Sequence, residues 1–190
     1  MLSAAETAKQ IVSDYAPKSE REAADRRQIL GYLSKGNDAL TRDDAVAHFT
    51  ASAWVTDPSR EYILMAYHNI YRSWAWLGGH ADGDPDLCSV ASREAREETG
   101  ITNLKLLCDG PISLEVLNVS EHVKHGEIVS PHLHFNLTYL FETEKESSLK
   151  VKADENSAVG WRTLAQIREE TDEAQIIPIY KKLIAIMKQF

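Results

Sequence analysis

The chain has 190 residues, 43% hydrophobic and 26% charged, with a formal net charge of -8. That length is enough to enclose one proper core, so a single globular unit is expected. The acidic balance disfavours a nucleic-acid polymer or an anionic membrane surface as partner, since both attract clustered Lys and Arg. Cys88 and Cys108 are the only cysteines and match neither a disulfide framework nor paired zinc spacing, so both read as buried reduced thiols. No apolar run approaches the roughly 18 residues of a membrane span, and Met1 to Glu6 lacks the basic head of a secretion signal. The expectation is a soluble, cytoplasmic protein.

In chain order, Ser3 with Glu6 and Ser19 with Glu22 each match a capping box, in which hydroxyl and carboxylate satisfy free amides at a helix start. Ala4, Ala8, Ile11, Val12 and Tyr15 recur at helical spacing behind the first; Pro17 separates it from a second helix carrying Ile29, Leu30 and Leu33. Residues 1–45 thus read as a helical extension, with Thr41 capping a last short turn, and 46–190 as the main domain. Strand-like runs follow at Thr50 to Thr56, Tyr62 to Tyr67 and Ser73 to Leu77. A helix is predicted from about Asp86 to Thr99, then strands at Leu104 to Leu107, Ile112 to Asn118, His132 to Phe141 and Val159 to Arg162. Helices near Leu164 to Glu169 and beyond Pro178 close the chain. The helical prefix and the last helix are candidate surfaces for a homodimer.

The chemistry is concentrated between Gly78 and Ile101. A strand ends in Gly78-Gly79, an aspartate-rich loop follows, Pro85 suits the first turn of the next helix with Asp84 as its cap, and Gly100 stops it. At about 100° per residue from Leu87, Val90, Ala91, Glu94 and Glu98 share the apolar face, with Glu97 beside them. Surface helices place carboxylates outward. Gathering three at i, i+3 and i+4 raises their energy through repulsion and desolvation, a cost that a divalent cation removes. Oxygen ligands suit magnesium, with manganese as a substitute, better than zinc; calcium fits the ligand type as well.

At these positions the sequence resembles the Nudix hydrolases. Their box is a glycine, five residues, a glutamate, seven residues, then Arg-Glu, an apolar residue, any residue, Glu-Glu, any residue, Gly and an apolar residue. Gly79, Arg93, Glu94, Ala95, Glu97, Glu98, Gly100 and Ile101 fall on it in register. Pro85 stands where the family has its first glutamate, and Asp84 or Asp86 is expected to replace it in part. The resemblance implies an α+β fold, an α/β/α sandwich around a mixed sheet. It also implies magnesium held by Glu94, Glu97, Glu98 and the Gly78 carbonyl, with Arg93 orienting the glutamates and a later carboxylate, Glu155, assisting.

The implied activity is cleavage of a diphosphate linkage in a small molecule, a nucleoside diphosphate joined to another group or a related compound. A nucleotide-sensing module that does not hydrolyse, supported by Pro85, is the alternative. A diphosphate isomerase ranks last, because Cys88 faces away from the glutamates. His132 and His134 alternate on the polar side of their strand and, with His80, are candidate substrate contacts; Trp76, beside Trp74, is a candidate for base stacking.

Overall fold

The computed structural model describes residues 2–69, 72–124, 126–145, 148–152, 156–171 and 173–190. Helices α1 (Ala4–Asp14) and α2 (Glu20–Leu33) come first, followed by strands β1 (Ala47–Thr56), β2 (Tyr62–His68), β3 (Ser73–Ala75) and β4 (Leu77–His80). Next are helix α3 (Leu87–Thr99) and strands β5 (Lys105–Leu106), β6 (Ser113–Val119), β7 (His122–Lys124), β8 (Glu127–Val129), β9 (His132–Glu142) and β10 (Asn156–Thr163). Helices α4 (Leu164–Glu170) and α5 (Ile177–Met187) complete the order. Among the described residues no helix is long and apolar enough to cross a membrane.

A mixed sheet organises the molecule. Strands β1 and β9 run parallel, from Ala47 opposite Leu133 to Thr56 opposite Glu142; β4 lies antiparallel on β1 and β6 antiparallel on β9. Parallel neighbours need a long crossover, and the chain between β1 and β9 supplies it, carrying α3 onto one face. On that face Phe49, Ala51, Ala53, Phe135 and Leu137 meet Leu87, Val90, Ala91 and Ala95. The small alanines of β1 let the helix approach closely. On the opposite face Trp54, Ile63, Met65 and Leu140 pack under Tyr180, Leu183, Ile184 and Met187 of α5. Helices on both faces of a mixed sheet make the α+β sandwich that was expected.

Because β1 is buried at every position, both faces of its alternation matter. Beyond Trp54 the second face turns polar. Asn136 accepts from the hydroxyls of Thr50 and Ser52 at 3.0 and 2.8 Å, and its amide nitrogen donates to Thr138 at 3.2 Å and Glu115 at 3.4 Å. A fully satisfied network of this kind can stay buried at little cost.

Several local expectations are corrected. The run Ser73 to Leu77 divides into β3 on β2 and β4 on β1, so one segment serves two neighbours. The β7–β8 hairpin was not anticipated, since its strands are short. Ser19 caps α2 by accepting from the Glu22 amide, but the Glu22 carboxylate accepts from the Lys18 amide at 2.6 Å and turns into the core, where a lysine is available. The Ser3–Glu6 box of α1 is complete.

Candidate active site

Helix α3 and strand β4 build the site together. The helix is capped by Asp86, which accepts from the Ser89 amide at 3.0 Å, and Gly100 ends it in the left-handed conformation that glycine adopts without penalty. The cap is therefore Asp86 rather than Asp84, and Pro85 lies before the helix instead of in its first turn. Asp84 accepts from the Asp86 amide at 3.0 Å and pairs with Arg93 at 3.4 Å. Both aspartates beside Pro85 thus tie the loop to the helix.

The three glutamates of α3 occupy graded environments. Glu98 is 5% exposed; its two oxygens accept from the Gly78 amide and the Asn156 side chain, each at 2.9 Å. The Glu94 side chain is 15% exposed and lies 3.6 Å from Arg93. The Glu97 side chain is 48% exposed, with Arg93 and Lys152 each 3.9 Å away. Arg93 therefore spans Asp84, Glu94 and Glu97. Asn156, which no sequence pattern singled out, is a further site residue, since it anchors one oxygen of Glu98 from β10.

Both glycines make room for a close neighbour. A Cβ at Gly79 would stand 2.5 Å from Glu94 Cδ, and one at Gly78 would stand 2.5 Å from the Ala51 carbonyl oxygen. Strand β4 thus presses against β1 on one side and the Glu94 carboxylate on the other. Glu155 lies outside the described residues.

The remaining candidates sit on the other face of β4. His80, His132 and His134 gather there, joined by His48 of β1, which the sequence alone did not mark. Ring centroids of His48 lie 5.1, 4.8 and 5.0 Å from those of His80, His132 and His134. Burial, then the neighbouring imidazoles, push His134 down to about 2; burial likewise holds His48 below its ordinary value. Trp76 sits edge-on to Tyr180 at 5.3 Å, and its amide donates to the Tyr180 hydroxyl at 3.0 Å. Trp74 carries the Arg162 guanidinium 3.4 Å over its ring. Cys88 and Cys108 are free thiols, half-buried rather than fully buried, and burial raises both pKa values.

The sequence profile of the NUDIX domain matches residues 46–183. Comparison with curated protein sequences gave no match. Among solved structures, an Ap4A hydrolase of C. elegans in a binary complex is similar, with 19% identity and a TM-score of 0.55 over 75% of this chain and 98% of that one. The NUDIX domain of Shewanella oneidensis NrtR complexed with ADP ribose has 15% identity and a TM-score of 0.53, over 83% of this chain and 97% of that one. The dihydroneopterin triphosphate pyrophosphohydrolase of E. coli has 13% identity and a TM-score of 0.55, over 73% of this chain and 95% of that one. At these identities the structural likeness speaks to the fold.

Proposed function

The chain belongs to the NUDIX domain family, and from that premise we propose a magnesium-dependent hydrolase that cleaves the diphosphate linkage of a nucleoside diphosphate joined to a further group. The observation that carries this reading is the convergence of Glu94, Glu97 and Glu98 beside Gly78–Gly79. The donor set fits a hard cation: carboxylate oxygens from one helical turn, next to a strand stripped of side chains so that a carboxylate can lie against it. Glu94, Glu97, Glu98 and the Gly78 carbonyl would hold the ion, with manganese acceptable in its place. When bound, it neutralises phosphate oxygens and lowers the pKa of the attacking water.

The protein's own contribution is positioning. The Gly78 amide and Asn156 hold Glu98 in one orientation, and Arg93 aligns Glu94 and Glu97 by charge-assisted contacts. Water attacks one phosphorus, the bridging P–O bond breaks, and the second phosphate leaves with that oxygen; Glu97 and Glu98 carry this step, with Glu155 as the assisting carboxylate from the later loop. The contacts of Asp84 and Asp86 support a loop that functions without the glutamate replaced by Pro85.

The test is a panel of nucleoside diphosphate sugars, dinucleoside polyphosphates, nucleoside triphosphates and ADP-ribose, incubated with and without magnesium. Release of phosphate-containing products only with the metal is expected. Thermal stabilisation by a nucleotide without turnover on any member would replace hydrolysis with the sensing module.

A further inference from the structure

The geometry points to a second cation site on the face of the sheet opposite the glutamate helix: we propose that His48, His80 and His134 hold a zinc-class transition metal, with His132 as the fourth nitrogen donor. One ring nitrogen from each of His48, His80 and His134 lies within 4.8 Å of the other two. They come from three adjacent strands, since His48 pairs with His134 across β1–β9 and His80 faces Thr50 across β4–β1. His132 Nε2 lies 3.1 Å from His134 Nε2, and its ring stacks on His48 with an interplanar angle of 30°.

Hydrogen bonds fix which nitrogens are available. His48 Nδ1 is 3.2 Å from the Asp44 carbonyl, and His132 Nδ1 is 2.9 Å from the Ser130 carbonyl. A carbonyl can only accept, so each Nδ1 carries the proton and each Nε2 bears its lone pair. Metal-binding histidines show the same pattern, one N–H given to a carbonyl and the other nitrogen given to the ion. Among the described residues the Nε2 of His48, in a residue 5% exposed, is buried with no hydrogen-bond partner, and the His48 ring centroid lies about 5 Å from those of His80, His132 and His134. Tetrahedral zinc with bonds of about 2.0–2.1 Å wants its nitrogens roughly 3.3 Å apart. The His132–His134 pair, hydrogen-bonded at 3.1 Å in the metal-free arrangement, stands near that spacing already, and binding would draw the nitrogens of His48, His80 and His134 together from within 4.8 Å.

Imidazoles suit zinc, cobalt, nickel or copper, whereas magnesium demands oxygen, so this site and the glutamate cluster would select different ions. Its ligands would tie β4 to β1 and β9 immediately after Gly78–Gly79, bracing the strand that meets Glu94.

The experiment uses the full chain, stripped with a chelator and titrated with cobalt(II), then with zinc(II). Expected are one equivalent of cobalt giving the intense visible bands of tetrahedral coordination, their displacement by zinc, and their loss in His48→Gln and His134→Gln but not in Glu97→Gln. X-ray absorption on the zinc-loaded wild-type chain, which does not depend on any variant folding, should show three or four imidazoles around the ion. An oxygen-only shell, or bands that survive both histidine substitutions and vanish in Glu97→Gln, would overturn the proposal.

Discussion

Glu98 of α3 and Glu115 of β6 are buried to the same degree, 5% and 4% exposed, yet the fold treats them differently. Glu115 is compensated by a charge: Lys182 of α5 reaches it at 2.7 Å and Glu22 of α2 at 2.5 Å, joining three elements that are far apart in the chain. Glu98 is oriented by two amides, from Gly78 and Asn156, on a helical turn that carries two more carboxylates. An ammonium between two carboxylates contributes to holding elements together. Amides that reach both oxygens of a carboxylate fix its orientation. Burial alone therefore does not tell the two acids apart; under the proposed function the one beside Gly78 is the functional one.

The largest effect should come from removing the shared cation. Lys182→Met leaves two buried carboxylates without their ammonium and should cost about 3–5 kcal/mol of stability, measured by urea unfolding. Turnover at a temperature where the variant is folded should remain within a few-fold of wild type, because Lys182 stands away from α3. The complementary substitution, Glu98→Gln, keeps the shape and one oxygen to accept from the Gly78 amide, while its new amide nitrogen donates to Asn156 Oδ1 once that side chain flips, and it removes the charge. It should lower kcat by roughly 10²–10³-fold, about 2.7–4 kcal/mol in the transition state, with the melting temperature unchanged or raised.

Gly79→Ala sharpens the contrast at smaller scale. The added methyl meets the flexible end of Glu94, which can move without unfolding the chain. The expected outcome is roughly a tenfold loss of kcat/KM, about 1.4 kcal/mol, with little change in unfolding free energy.

The smallest effect is in pH dependence. Burial pushes Lys182 down, but Glu115 and Glu22 outweigh it and hold its pKa above the ordinary 10.5. Stability from this lysine is fully present below 10.5 and is lost as pH rises through the higher folded value. Burial raises Glu22, but Lys182 and the Lys18 amide outweigh it and hold it below 4.5; that part is present above 4.5 and is lost as pH falls through the lower folded value. Glu115 runs the other way, since burial raises it even beside Lys182. Its folded pKa stands above the ordinary 4.5, so it subtracts from stability as pH climbs above 4.5. Urea unfolding as a function of pH should show an alkaline decline in wild type that is shallower in Lys182→Met but not absent, because Cys88, Cys108 and buried tyrosines whose pKa values burial raises lose stability in the same direction.

What could be read in the sequence follows how local each feature is. Glu94, Glu97 and Glu98 lie within one and a half turns of a single helix, so periodicity alone placed two of them inward and one at the border, as their exposures bear out. Alternation along β9 put His132 and His134 on one side. Neither pattern carries the register of β1 against β9, so His48 was missed, and so was Asn156, which reaches Glu98 across 58 positions. The Glu22–Lys182 pair, 160 positions apart, left only a misleading trace: Glu22 completes a capping-box pattern of which the structure uses only the Ser19 half. Asp84 and Asp86 show the limit at short range, since two aspartates one residue apart satisfy the same rule and only backbone geometry decides which caps.

The most direct test of the central claim compares kcat and unfolding free energy for Glu98→Gln and Lys182→Met, on whichever diphosphate the panel identifies and with saturating magnesium. Loss of turnover without loss of stability in the first, and the reverse in the second, is the predicted outcome. Full turnover in Glu98→Gln would contradict it, because the helix would then carry its carboxylates for some purpose other than hydrolysis.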